Sequence, residues 1–494
     1  MTSAALSFSS EPATEAVVDV VVIGARSVDG SVELVADPAY AAIAEHLDAL
    51  GVTGGSDQVV RTVDTVGAAK SIAIVGLGRA TDAAGLRAAA GSAARQLTGV
   101  ETLAFAIPTA DAAEAAALAE GALLGAYAYT AYRHASLEKT KTPASSIAVH
   151  TASVPDDTEQ ARIVAVADGV NLVRDLVNAP PSDLYPETFV DLAGEAIGEL
   201  PIEVTVWDEN HLAADGFGGI LGVGQGSARP PRLVKLAYSP AAASKHLAIV
   251  GKGITFDTGG LSLKPPVPMI GMKSDMAGAA NVLAVIIAAA RTGVPVRLTG
   301  WLCLAENMPS GNAVRPNDVL SIRGGTTVEV VNTDAEGRLV MADGLVAASE
   351  EHPDAIVDVA TLTGAQVVAL GHRYSAVMGE DGLVERVLEA SRAVAEPFWP
   401  MPIPEELRAR LDSGVADIKN ATPGDTAAGM MLAAAFLEDF IGSTADGEST
   451  IPWAHLDIAG AALNEGKLYS FNGPGATGVS VRTLLALAES FARK

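Results

Sequence analysis

Apolar residues along this chain follow two alternating rhythms. Short runs with few polar interruptions, VVDVVVI at 17–23, SIAIV at 71–75 and TLAFAI at 102–107, read as buried strands. Longer Ala-rich patterns over 81–97 and 112–134 predict helices between and after them. The polar stretch SLEKTKTPASS at 136–146 breaks the rhythm. One more short strand and an amphipathic helix over 159–178 follow, and Pro180 and Pro181 stop that helix. The second half repeats the theme: a strand at 246–250, a Gly-rich loop over 251–276, and a helix over 277–293 that Gly293 ends. Strands at 296–305 and 327–331, a helix over 337–350 and a strand at 355–364 complete it. Strands alternating with helices predict an α/β protein. The expected division is a smaller N-terminal α/β domain, residues 1–165, with a structural or assembly role. A larger C-terminal α/β domain, residues 166–494, is expected to hold a central, mostly parallel twisted sheet and the chemistry.

Composition narrows the function classes. Of 494 residues, 49% are hydrophobic and 19% charged, which describes a folded globular chain and not a disordered one. The net charge of −26 has no basic excess in either half, so nucleic-acid binding lacks its electrostatic driving force. Cys303 is the single cysteine, so an intramolecular disulfide is excluded; within WLCLA it reads as a small buried hydrophobe. The opening MTSAALSFSSEPATEA is polar and acidic, unlike a signal peptide. Apolar stretches such as NVLAVIIAAA at 281–290 fall short of the ~20 residues a membrane span needs. A cytoplasmic protein without a membrane partner is expected.

Several familiar chemistries fail on spacing. No histidine sits in HExxH, and GxSxG is absent. GKG at 251–253 has His246 where a phosphate loop needs its first glycine, and GVGQGS at 222–227 reads as a tight loop. His455 reads as a packed core histidine. Two segments survive, GKGITFDTGGLSLKPPVPMIGMKSDMAGAA at 251–280 and NTDAEGRL at 332–339. They supply Lys252, Asp257, Lys264, Asp275, Asp334, Glu336 and Arg338. Singly, each has a structural explanation; Asp275 and Asp334 both precede helices and would serve as N-caps. Jointly, four carboxylates on loops beyond strand ends repel one another unless positive charge lies among them. Two lysines and an arginine supply part of it. Divalent cations would supply the rest, and oxygen-rich sites suit magnesium, manganese or zinc. The residues by themselves point to a two-metal hydrolase, with a phosphoesterase and a non-enzymatic nucleic-acid-binding or scaffold role as the alternatives.

NTDAEGRL, with Lys252, Asp257, Lys264 and Asp275 spaced by five, seven and eleven, resembles the leucyl aminopeptidase family of cytosol aminopeptidases. NAPPSDLYP at 178–186, ATLTGA at 360–365 and HLDIAG at 455–460 carry the same resemblance, which covers roughly residues 165–494. It implies a metal-dependent leucyl aminopeptidase that releases N-terminal leucine and other apolar residues from peptides with a free N-terminus. Asp257, Asp334 and Glu336 would hold one ion, with help from the Asp334 carbonyl. Lys252, Asp257, Asp275 and Glu336 would hold the other, each Mn2+ or Zn2+. Lys264 would stabilise the oxyanion, and Arg338 would hold a bicarbonate that serves as general base, assisted by backbone at Gly337 and Leu362. Met272, Thr361 and Gly364 would line the side-chain pocket; Ala462 is smaller than the Met of some relatives and leaves its depth open. A homohexamer is implied as well.

Overall fold

The structure, a computed structural model, describes residues 3–79 and 82–492. The chain forms two compact units, residues 1–171 with 464–475, and residues 172–463 with 476–494. The change of unit falls inside the helix Asp157–Asn178, and the short excursion at 464–475 belongs to the first unit.

The first unit is built on a seven-stranded sheet. Its order is Ala5–Ser9, Ser146–His150, Thr102–Phe105, Val20–Val28, Ser71–Gly76 and Val59–Val63, with Ser31–Val35 added against Val20–Val28. The first four pairings along this order are parallel. Ala83–Gln96 and Ala112–Gly125 are the helices expected over 81–97 and 112–134, residue 81 lying outside the described residues. The second stops nine residues early, because Ala126 already leaves the helical region (φ −80°, ψ 55°) and YAYTAY beyond it has no 3.6-residue period.

The second unit carries an eight-stranded sheet. Across it run Phe398–Pro400, Ser375–Gly379, Trp453–Asp457, Ala355–Ala360, His246–Asp257, Arg297–Asn307, Arg232–Tyr238 and Ile202–Trp207. The four strands from Trp453–Asp457 to Arg297–Asn307 are parallel, so their carboxyl ends share one rim. Helices Ala277–Thr292 and Gly337–Ser349 pack on these strands, burying Val282, Leu283, Ile286, Leu339, Met341 and Leu345.

Four expectations need correction here. Residues 251–257 are strand and not loop: Gly251 and Gly253 are close-approach positions, since a Cβ at Gly251 would lie 2.6 Å from the Gly278 carbonyl oxygen. Thr327–Glu329 lies outside the main sheet, in a three-stranded one with Val319–Ser321 and Ile418–Lys419. GVGQGS begins inside the helix Gly218–Gly224, whose glycines let it sit against neighbouring backbone. Finally, the stretch Met272–Thr292, a short 3-10 turn leading into the helix Ala277–Thr292, is long and apolar enough to cross a membrane, although it is almost wholly buried against the sheet. Cys303 and His455 are fully buried as expected, His455 Nδ1 lying 2.5 Å from Asp358 Oδ1.

The opposite rim of the sheet gives the chain a pH response. His246 Nε2 lies 2.9 Å from Thr299 Oγ1, and burial, with the Arg297 and Lys235 charges, lowers its pKa to about 4. A base whose folded pKa is depressed binds fewer protons folded than unfolded, so stability rises with pH between about 4 and 6.5. The melting temperature should fall on acidification through that window, and less so in His246→Gln.

Candidate active site

The shared rim collects the charged residues. The strand His246–Asp257 contributes both Lys252 and Asp257, five residues apart, which in a regular strand would face opposite sides. Its pairing with Arg297–Asn307 steps from Ile254 to Phe256 with Thr255 unmatched, and this bulge returns the two side chains to one side. Asp275 arrives on the turn before Ala277–Thr292, and Asp334 and Glu336 on the turn before Gly337–Ser349. None of these carboxylates caps a helix by its side chain: the N-caps are Met276 and Glu336, and neither makes a side-chain cap hydrogen bond. Ligand-facing groups beyond the carboxyl ends of parallel strands are what such sheets produce.

Asp257, Asp334 and Glu336 each bring an oxygen within 4.8 Å of the others. Lys252 Nζ donates to Asp275 Oδ1 at 2.8 Å and to the Thr361 carbonyl at 3.1 Å, and lies 3.0 Å from Glu336 Oε1. Lys264 Nζ lies 2.8 Å from Asp257 Oδ2 and 2.6 Å from Asp334 Oδ1. Thr361 Oγ1 donates to Asp275 Oδ1 at 2.7 Å. A Cβ at position 337 would stand 2.4 Å from Lys252 Cε, so any larger residue would push the end of that lysine aside.

Charge is out of balance in this cluster. Two like charges 4–5 Å apart repel by roughly 3–4 kcal/mol at an effective dielectric of 20, and four carboxylates share two ammonium groups. Burial, then the Asp257 charge, raises the Glu336 pKa; burial likewise raises Asp275 and Asp334, partly offset by Lys252 and Lys264 respectively. For Lys252, burial alone would lower the pKa, but Asp275, Glu336 and Asp257 outweigh it and raise it. Glu336 Oε2 is buried without a hydrogen-bond partner. A buried, orphaned carboxylate oxygen among surplus negative charge is what a divalent-cation site leaves when only its protein ligands are considered, and the donor set fits hard or borderline cations.

The remaining expected residues flank this cluster. Arg338, in the first turn of its helix, is buried; its Nη1 donates to the Asn420 carbonyl at 2.5 Å, and Nε has no hydrogen-bond partner. Burial lowers its pKa to about 10. Leu362 N–H donates to Asp457 Oδ1 at 3.1 Å. Met272 and Thr361 are half-buried, Gly364 is exposed, and nothing lies within 4 Å of where a Gly364 side chain would begin.

Sequence reasoning missed the amides that hold these groups. Fully buried Asn420 accepts from Val331 N–H at 2.9 Å and donates to the Asn332 carbonyl at 2.7 Å, pinning the turn that carries Asp334 and Glu336. Asn307 donates to Asp257 Oδ1. Neither stands in a charged motif; Asn307 reaches the rim at the end of its strand in the main sheet, and Asn420 through the strand Ile418–Lys419 of the three-stranded sheet.

Comparison with known proteins follows the same lines. The model of the cytosol aminopeptidase family, catalytic domain, matches residues 171–485, and that of the family's N-terminal domain matches residues 17–136. The chain belongs to the cytosol aminopeptidase family. A "Probable cytosol aminopeptidase" of Clavibacter michiganensis subsp. michiganensis is 58% identical over 501 residues, covering 100% of both chains. One of Leifsonia xyli subsp. xyli, with the same description, is 57% identical over 494 residues and 99% of each. Among solved structures, the bottromycin maturation enzyme BotP in complex with Mn superposes with a TM-score of 0.84 at 39% identity, over 96% of this chain and 100% of that one. A tomato leucine aminopeptidase mutant gives 0.84 at 28% identity, over 99% and 97%. This cytosol aminopeptidase is therefore a peptidase, a hydrolase, and its charged rim lies within the catalytic-domain match.

Proposed function

We propose that this cytosol aminopeptidase is metal-dependent and removes N-terminal residues, leucine and other apolar ones first, from peptides with a free α-amine. The observation that carries the reading is the meeting of Asp257, Asp334 and Glu336 oxygens within 4.8 Å, with Lys252 and Asp275 alongside. Asp257, Asp334 and Glu336 would hold one ion, and Lys252, Asp257, Asp275 and Glu336 the other. Manganese is the first choice, since a structural neighbour is a Mn complex, with zinc the second. Two adjacent divalent ions supply Lewis acidity and an activated water.

The chain's own groups do the rest. Lys252 now donates to Asp275, so joining the metal ligands requires it to give up a proton, and metal uptake should acidify the medium. Lys264 would stabilise charge developing on the scissile carbonyl oxygen. Arg338, buried and with Nε unpaired, would hold a bicarbonate near Gly337, which would supply general-base chemistry there. Met272, Thr361 and Gly364 would border the pocket for the first side chain. No serine or cysteine nucleophile is required. A cytoplasmic homohexamer, assembled with help from the first unit, belongs to the same reading.

Manganese- or zinc-loaded enzyme should cleave leucine p-nitroanilide and leave N-acetyl-leucine p-nitroanilide and p-nitrophenyl phosphate intact. Equal cleavage of the acetylated compound would refute a role for the free amine, and turnover of the phosphate ester would favour a phosphoesterase.

A further inference from the structure

Asn307 ends the strand Arg297–Asn307 and is 2% exposed. Its Nδ2 donates to Asp257 Oδ1 at 2.8 Å and to the Thr333 carbonyl at 3.1 Å. The Gly259 N–H donates to the same Asp257 Oδ1, also at 2.8 Å. A carboxylate oxygen has two lone-pair sites, so these two donors occupy Oδ1. Oδ2 remains, and it is the oxygen that faces Lys264 Nζ at 2.8 Å.

The surrounding backbone is shaped to keep this arrangement. Gly259 and Gly260 have φ of +85° and +64°, and a Cβ at Gly260 would lie 2.8 Å from Asn307 Oδ1. Thr333 Oγ1 donates to the Gly259 carbonyl at 2.6 Å and accepts from Ser262 N–H at 2.7 Å, while Ser262 Oγ accepts from Thr333 N–H at 3.1 Å. The Asn307 amide thus touches the strand end that carries Asp257 and the turn that carries Asp334 and Glu336, at a point already closed by other hydrogen bonds.

We propose that Asn307 is a positioning residue for the metal centre: its amide commits one oxygen of Asp257 to the protein, so that Oδ2 alone is presented to the cations. The proposal rests on the two-metal reading above. An Asp257 held on Oδ1 by the Gly259 N–H alone is less firmly fixed about its terminal bond and meets the cations in more than one orientation, which weakens binding and misaligns the reacting groups.

The test uses the full chain. Mn2+ is titrated calorimetrically into metal-free parent, Asn307→Leu and Asn307→Ala, and kcat and KM for leucine p-nitroanilide are measured at saturating Mn2+. Loss of a hydrogen-bond partner behind a metal ligand weakens metal binding by about 10–100-fold, and that weakening is expected in Asn307→Leu. Asn307→Ala, which is small enough to keep the fold and admits a water as substitute donor, should weaken in the same direction by less. kcat should fall while KM stays within about threefold, since substrate contacts are untouched. The manganese electron paramagnetic resonance spectrum should broaden in both variants. A folded variant with the parent's Mn2+ affinity, spectrum and kcat overturns the role of Asn307 and leaves the two-metal reading standing. A parent chain that takes up no Mn2+ or Zn2+ overturns both.

Discussion

Glu336→Gln should strip this aminopeptidase of both its metal and its activity while leaving the metal-free fold at least as stable. The substitution keeps shape and volume and removes one negative charge from a fully buried position whose second oxygen has no protein partner. In the proposed site Glu336 touches both ions, so elemental analysis should find the metal content falling from two ions per chain to one or none. Activity should fall by about a thousandfold or more, at the upper end of the loss when one preorganised electrostatic group is removed.

The stability prediction has a definite sign. Burial, followed by the Asp257 charge, pushes the Glu336 pKa from 4.5 up to about 8. An acid with a raised folded pKa holds more protons folded than unfolded, so its contribution to stability is lost as pH rises from about 4.5 to about 8. The metal-free parent should therefore show a destabilising trend across this range that is weaker in Glu336→Gln, where the raised Asp275 and Asp334 remain. His246 works in the opposite direction but only below about pH 6.5, so the two are separated by measuring above it. Two ions and full activity retained in Glu336→Gln would refute the ligand assignment.

Lys264→Ala should do the reverse: metal kept, catalysis lost. Lys264 sits against Asp257 and Asp334 as a cation among the proposed ligands. Removing it takes positive charge away from a site that is already too negative, so affinity for divalent ions should hold or rise. What disappears is the group available to a developing oxyanion, and kcat should drop by about a hundredfold to a thousandfold. KM for leucine p-nitroanilide should change far less. Loss of metal together with activity, or an unchanged kcat, would remove Lys264 from the mechanism.

Much of this chemistry is legible in the amino-acid sequence. The two segments at 251–280 and 332–339 carry the seven charged residues of the site, and the surplus of carboxylates among them implies cations. The α/β class follows from strand-like and helix-like periods of apolar residues, which reflect local geometry. The pattern fails where tertiary contact overrides local preference. Gly251 and Gly253 look like loop residues, yet they are strand: helix backbone at Gly278 and Ala279 lies directly on Gly251, and Leu304 with the Cys303 carbonyl of the next strand closes on Gly253. Residues 327–331 look like one more strand of the main sheet but pair elsewhere.

The sequence by itself determined which chemistry is possible, because charge, acidity and coordinating ability belong to side chains wherever they are placed. Only the tertiary structure decided how those side chains meet. A single unmatched residue, Thr255, turns Lys252 and Asp257 to the same side of one strand. Neutral amides at 307 and 420, far away in sequence and unmarked by charge, fix the carboxylates and the turn that bears them. Hydrogen-bond partners of that kind are set by strand order and register, and no local pattern in the chain encodes them.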